Sequence, residues 1–352
     1  MMRMDVSQTE RLAETPAGLR EEIGRSLFGL EHAVDHLLIA MAVEGHILLE
    51  DVPGVGKTAL TKKFADLCGL RFKRIQCTPD MLPSDILGGL IYDPRTTEFR
   101  FRPGPIFTHI LLVDEINRAL PRTQSALLEA MAERQVTVDG QTYALPAPFL
   151  VIATQNPLES QGVFPLPEAQ LDRFMIKASL GYPSPEADLK MLRFHLARDA
   201  SSAPSPAAAP AASAPGAAPG ADPFASSPAP AASVHPAPFL KRMRDQVGGV
   251  RASEEILSYI SGIARATRED PGVVAGMSPR AMIMLAQAAR AKAALDGRDF
   301  TVPDDVAEMA PLVILHRMVF EGGASMQELD AAAWLRELLQ SVPAPVDTPS
   351  GG

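Results

Sequence analysis

The string ILLEDVPGVGKTAL, residues 47–60, decides the fold: an apolar run passes into a glycine-bearing turn and then into a stretch of helical spacing. Strand, turn and helix in that order bring backbone N–H groups and the positive end of a helix onto one point, the arrangement that holds a phosphate. Gly54 and Gly56 let the backbone turn closely around an anion, Lys57 supplies a mobile cation for β and γ oxygens, and Thr58 offers a hydroxyl to Mg²⁺. Pro53, Gly54, Val55, Gly56, Lys57, Thr58 and Ala59 therefore form the candidate nucleotide-binding set, with ATP and Mg²⁺ as the expected ligands. The strict pattern GxxxxGK(S/T) begins with a glycine where this chain has Asp51, so the start of the loop must tolerate a side chain. A chance GKT in a turn is the alternative, and the strand before and helix after it count against that.

A nucleotide site also needs an apolar strand ending in acids, and ILLVDEINR at 110–118 supplies one. Asp114 is placed to hold Mg²⁺ through water, and Glu115 to orient and deprotonate an attacking water. Adjacent carboxylates on a buried strand are otherwise costly. Acids on a surface turn would be the bland reading.

Outward from these strings, HILLE (46–50), RFKRIQ (71–76), ILLVDE (110–115) and PFLVIAT (148–154) alternate with amphipathic helical stretches, which suits a parallel sheet with crossover helices. Residues 253–268, 278–296 and 303–320 carry apolar positions at helical spacing, with start signals at Ser253, Ser278 and Thr301 to Asp304. They predict a second domain of helices alone. Between the two lies 201–238, almost entirely Ala, Pro, Ser and Gly, with Asp222 its single charge. Frequent proline forbids a regular helix and little apolar bulk offsets ordering, so the segment reads as a disordered tether, about 120 Å long if fully extended. A docking site for a partner is the other reading. The expected organisation is an N-terminal helical segment (1–25), an α/β nucleotide-binding core (26–200), the linker (201–238), a helical lid (239–325), and a C-terminal helix with a flexible tail (326–352).

The 352 residues, 46% hydrophobic and 21% charged, suffice for two or three domains with a full core. Against 42 Asp+Glu stand 33 Lys+Arg, and the net charge of -9 argues against nonspecific nucleic-acid or anionic-membrane binding as the main activity. Cys68 and Cys77 are too few for a disulfide framework and lack metal-ligand spacing, so a reducing compartment is expected. With neither a signal-peptide pattern nor a long apolar window, no membrane insertion and a cytoplasmic location are expected.

Beyond the nucleotide motifs, the strings RIQCTPDMLPSDILGG (74–89), FRPGPIF (101–107), LLVDEINRA (111–119), QSALLEAMAERQVTVDG (124–140), ATQNP (153–157), LPEAQLDRF (166–174) and GMSPRA (276–281) give the chain a specific resemblance to AAA+ ATPases of the MoxR type. It covers roughly residues 20–200 and 240–320. The resemblance implies a P-loop core with inserted β-hairpins followed by a small helical lid. It assigns Asn156 as sensor 1, Arg173 as a finger presented to the neighbouring subunit's γ-phosphate, and Arg280 as sensor 2. A homo-oligomeric ring, hexameric in the family, and clients with von Willebrand factor A domains follow from it too. Two departures stand out: GVF at 162–164, where the family more often shows Gly-Thr-Tyr, and the insertion at 201–238.

The residues agree with these assignments as far as they go. An amide ending the run FLVIAT needs a partner, and a water between Glu115 and the γ-phosphate would serve; a turn-forming Asn before Pro157 is the other reading. Arg173 could instead pair with Asp172 or another acid. Arg280 follows Ser278 and Pro279 in a helix's first turn, where a cation needs an anion such as the γ-phosphate, or else lies exposed. His46 reads as a packing or hydrogen-bonding residue. LIY and EFRF, joined by a turn at Asp93–Thr97, predict a hairpin interrupting a helix, and Asp139-Gly140 in QVTVDGQTYAL predicts a two-residue hairpin turn. Both resemble the family's pore- or partner-facing hairpins, and plain structural hairpins remain the alternative. A magnesium-chelatase-like AAA+ motor subunit shares such hairpins, but LPEAQLDRF with TPDMLPSDI favours MoxR. For a nucleic-acid-acting AAA+ protein the chain lacks a helix-turn-helix, a zinc module and a basic tail. Glu115 counts against a nonhydrolysing scaffold.

Overall fold

A computed structural model describes residues 15–52, 54–157, 162–201, 238–321 and 328–345. Helices α1 (Pro16–Gly24) and α2 (Glu31–Ala42) precede β1 (Ile47–Glu50), and α3 (Lys57–Leu67) follows the glycine turn. Next come β2 (Phe72–Gln76), the short α4 (Pro83–Leu87), the hairpin β3 (Gly88–Asp93) and β4 (Glu98–Pro103), and β5 (Ile110–Asp114). A 3₁₀ turn (Ile116–Arg118) leads to α5 (Pro121–Glu133), a second hairpin of β6 (Gln135–Val138) and β7 (Gln141–Ala144), and β8 (Leu150–Gln155). The short α6 (Glu168–Leu171), β9 (Ile176–Ala178) and α7 (Pro185–Ser201) complete the first half.

The five-stranded sheet has the order β2-β5-β8-β1-β9, every pair parallel. Alternation along the buried strands sorts their side chains onto two cores. Ile110, Leu112, Leu150 and Ile152 face α2 and α3, whereas Leu111, Val113, Val151 and Ala153 join Leu127, Leu128 and Met131 of α5. Because β1 lies between β8 and β9 while the chain crosses to β2 at the far edge, its carboxyl end is the switch point where open α/β sheets bind ligands.

The second half comprises α8 (Pro238–Gly249), α9 (Glu254–Glu269), β10 (Val273–Ala275), α10 (Pro279–Leu295), α11 (Pro303–Ile314), a 3₁₀ turn (Leu315–Arg317), β11 (Val319–Phe320) and α12 (Glu328–Ser341). Ser253 and Ser278 cap α9 and α10 as their positions predict, accepting from the amides of Ile256 and Ala281 at 3.4 and 3.1 Å. Buried alanines on α10 let it approach α2 and α11 closely, so the hydrophobic core on the α2 side of the sheet runs without a break into the lid.

The structure corrects several expectations. The lid is not helices alone, because β10 pairs antiparallel with β11. The helix expected over 303–320 stops at Ile314, where the chain tightens to aim His316 and Arg317 at backbone carbonyls of the core. Ser201 closes α7 and Pro238 opens α8, so both ends of the expected linker are helical; 202–237 lie outside the described residues, as do 1–14 and 346–352. The first hairpin does not interrupt a helix: it leaves α4 directly and returns to β5. Its neck is closed by backbone contact, since a Cβ at Gly88 would collide with the Arg102 carbonyl and one at Gly104 with that of Ile86. In the second hairpin Asp139 and Gly140 both have positive φ (50° and 75°), the two-residue turn their sequence predicts. Phe101 and Tyr143 stack with ring centres 4.0 Å apart, joining the two hairpins. Among the described residues no helix is long and apolar enough to cross a membrane.

His46 performs the structural role read from its position: Nδ1 accepts from the Val151 amide at 3.1 Å and Nε2 lies 3.2 Å from the Met131 carbonyl. Burial pushes the pKa of His46, and likewise of His36, down to about 4, and lowers that of His316 as well. The unfolded chain protonates these rings near pH 6.5, so the stability they contribute is present above that pH and is lost as the pH falls toward 4. His46 alone is expected to account for about 3 kcal/mol over that window. Urea melts at pH 7, 5.5 and 4.5 should show the loss, and His46→Gln should flatten the profile.

Candidate functional site

The glycine turn folds as its sequence requires: Gly54 and Gly56 both have φ of 92°, and Gly56 is the N-cap of α3. Helix α3 therefore starts at Lys57 with its first amides directed at the turn. A cleft of about 360 Å³ opens there, lined by Gly54, Gly56, Lys57, Thr58 and Ala59 from the turn and helix, Asp114 and Glu115 from the end of β5, and Thr154 to Asn156 from the end of β8. Lys57 Nζ donates to the Asp51 carbonyl at 3.0 Å, across the turn from the helix. Val55 packs against the core. Pro53 falls outside the described residues.

Asp51, the departure from the usual glycine, is buried and holds the turn in place. Its carboxylate accepts from Ser179 Oγ at 2.6 Å, from the Leu180 amide at 2.9 Å and from the Gly181 amide at 3.1 Å. The start of the loop is thus tied to the chain leaving β9.

The two acids are held differently. Asp114 is buried; its Oδ2 takes a 2.6 Å ion pair from Arg74 Nε on the adjacent β2, and its Oδ1 lies 3.3 Å from Thr154 Oγ1. Glu115 adopts a left-handed backbone (φ 55°, ψ 52°), a conformation costing a non-glycine residue about 1 kcal/mol or more. That backbone is kept by its amide donating to Thr154 Oγ1 at 3.0 Å, and its carboxylate pairs with Arg118 Nε at 2.9 Å. Of the partners beyond the sequence-derived set, Arg118 is local to Glu115, three residues on, whereas Arg74 and Thr154 meet the acids only through strand pairing, which nothing local marks. Burial and the charges of Asp114 and Glu115 push the Cys77 thiol pKa up to about 12, so it stays a neutral thiol beside the site.

No group of three or more His, Cys, Asp or Glu among the described residues could hold a metal by itself. The donor set of Thr58 hydroxyl and Asp114 carboxylate is instead what Mg²⁺ uses when phosphate and water oxygens complete its shell.

Asn156 directly follows β8, is buried, and lines the cleft with Glu115. Arg173 and Arg280 do not line it. Arg173 is half-buried and donates to the Leu128 carbonyl on α5 at 3.0 Å, with no ion pair to Asp172. The anion opposite Arg280 is the Asp172 carboxylate at 3.5 Å rather than a group of the cleft. In the GVF departure, the Phe164 backbone does the work: its amide donates to the Asn117 carbonyl at 2.6 Å and its carbonyl accepts from Gln124 Nε2 at 2.8 Å.

Residues 46–176 match the ATPase family associated with various cellular activities (AAA), and residues 265–337 match the AAA lid domain. The chain is 44% identical over 326 residues to the uncharacterized protein YeaC of Bacillus subtilis, covering 93% of each. It is 37% identical to Chaperone MoxR1 of Mycobacterium tuberculosis, over 92% of this chain and 81% of that protein, and 32% identical to Protein MoxR of Methylorubrum extorquens, over 94% and 96%. A solved structure from Cytophaga hutchinsonii, described as a candidate ATPase, superposes with a TM-score of 0.76 at 31% identity, over 97% of this chain and 98% of that one.

The Asp51 tie predicts a measurable effect. Asp51→Ala leaves the Ser179 hydroxyl and the Leu180 and Gly181 amides without their shared acceptor and should lower unfolding free energy by about 2–4 kcal/mol in urea melts, with weaker nucleotide binding by fluorescence titration. Asp51→Asn, which keeps one acceptor oxygen, should fall between the two.

Proposed function

The chain belongs to the MoxR type of AAA+ ATPases, and on that footing we propose that it hydrolyses ATP in a Mg²⁺-dependent oligomeric ring and uses the cycle to remodel partner proteins. The observation that carries the reading is the convergence of Lys57, Thr58, Asp114, Glu115 and Asn156 on one cleft. The amides opening α3 bind phosphate oxygens, and Lys57 exchanges the Asp51 carbonyl for a β or γ oxygen. Thr58 and Asp114 would hold Mg²⁺, which neutralises charge on the phosphates when bound. Glu115, fixed by its backbone turn, accepts the proton of the attacking water, and Asn156 orients that water.

Arg173 supports an assembly. Lying outside its own cleft, it suits a neighbour's γ-phosphate, where an added cation meets charge developing in the transition state. A ring, hexameric as in the family, follows from a site completed by two subunits. Proteins with von Willebrand factor A domains are the proposed clients. The first hairpin suits partner contact, with Tyr92 and Phe99 48% and 68% exposed as a ring pair at its surface.

Lys57→Ala is expected to abolish ATP binding, whereas Glu115→Gln should bind ATP and turn it over at least about 100-fold more slowly. Arg173→Ala should bind normally and hydrolyse about 10³-fold more slowly, with partial rescue in rings mixed with Glu115→Gln subunits. Wild-type turnover by Glu115→Gln would remove the assigned base. Affinity capture with Glu115→Gln in ATP should enrich von Willebrand factor A domain proteins.

A further inference from the structure

Arg317, in the 3₁₀ turn after α11, carries its charge into the junction of lid and core with 3% of its side chain exposed. A guanidinium taken out of water needs acceptors for its N–H groups, and here most of them lie on one short stretch of chain. Nε pairs with Asp172 Oδ1 at 2.9 Å; Nη2 donates to the carbonyls of Asp172 at 3.3 Å and Phe174 at 2.5 Å; Nη1 donates to that of Met175 at 3.3 Å. Its remaining contacts, the Val313 carbonyl and Met284 Sδ, are within the lid. His316 Nε2 adds a contact to the Phe174 carbonyl at 2.9 Å, and Arg280 reaches Asp172 from α10 at 3.5 Å. Residue 173 is the middle of this stretch. The lid thus grips the backbone on both sides of Arg173, while the Arg173 side chain itself rests on α5 of the core.

We propose that Arg317 is a positioning residue through which the lid of one subunit sets the placement of Arg173, and hence the activity of the neighbouring subunit's site. The inference rests on the reading of Arg173 as a finger in trans. Lid displacement pulls the 172–175 carbonyls with it, because the fan of hydrogen bonds from one rigid, planar group resists shear between its acceptors. Asp172 serves as the shared anchor of Arg317 and Arg280, so both lid arginines act on the same backbone.

The direction of the effect separates this role from that of an ordinary interdomain staple. Arg317→Met removes the charge and keeps bulk; Asp172→Asn keeps shape and loosens the grip, and it decides the matter if Arg317→Met fails to fold. Homomeric rings of either variant should bind a fluorescent ATP analogue within about twofold of wild type yet hydrolyse ATP at least about tenfold more slowly, short of the loss expected from removing a finger. Mixing either variant with Glu115→Gln subunits should then restore turnover, because an intact Glu115 of the variant meets a correctly placed Arg173 of its neighbour. Arg173→Ala mixed with Glu115→Gln is the control. Rescue in the control without rescue of the Arg317 and Asp172 variants would place their defect in their own subunit's site and overturn the inference. Failure of the control in demonstrably mixed rings overturns the trans reading of Arg173 itself, and this proposal with it. Unchanged homomeric turnover in a folded variant also overturns it.

Discussion

The strand Ile47–Glu50 sits between two parallel neighbours, and the chain leaving it has one way out: upward at the carboxyl edge of the sheet, into the glycine turn. The residues that line the cleft are arranged around that exit. The register β1 to β8 to β5 brings Gln155 and Asn156, Thr154, Asp114 and Glu115 level with the turn, so strand pairing does the positioning that loops alone could not. Asp51 closes the arrangement by bonding the chain that leaves β9, so the turn is held from both sides of β1. A glycine there could not make this tie.

Charge balance around the acids follows from the same packing. Two carboxylates adjacent in sequence at the end of a buried strand repel each other and lose hydration, and each is met by its own arginine, Asp114 by Arg74 and Glu115 by Arg118. On the proposed nucleotide-binding role, a ligand would exchange partners with these groups rather than fill a bare acidic pocket. Lys57 follows the same rule, since its ammonium already has the Asp51 carbonyl as a partner.

What could be read from the sequence was whatever lies contiguous in it. The turn from Gly54 to Ala59, the acids 114 and 115, the Asp139-Gly140 hairpin and the caps Ser253 and Ser278 are each local, with their physics contained in a few neighbouring residues. The strand Ile176–Ala178 escapes because three residues carry too little periodicity, and the lid ladder for the same reason, β10 having three residues and β11 two. Arg317 escaped for another reason: it sits in an otherwise apolar helical run, and its partner Asp172 is distant in sequence. The early end of α11 is the local sign of that long-range contact. Arg280 was placed correctly in a first helical turn, but its need for an anion is met by a side chain of the core.

The apolar core that continues from Ile110 and Leu112 through α2 to Leu285 and Ala288 has a mechanical consequence. Two bodies joined by a flexible strap swing apart about a hinge, opening a wedge of water between them. Bodies that share close-packed side chains across their boundary slide instead, one or two ångströms at a time, with neighbouring rotamers exchanging places as they go. For a lid packed this way, such physics favours short, stiff displacements over a wide hinge opening.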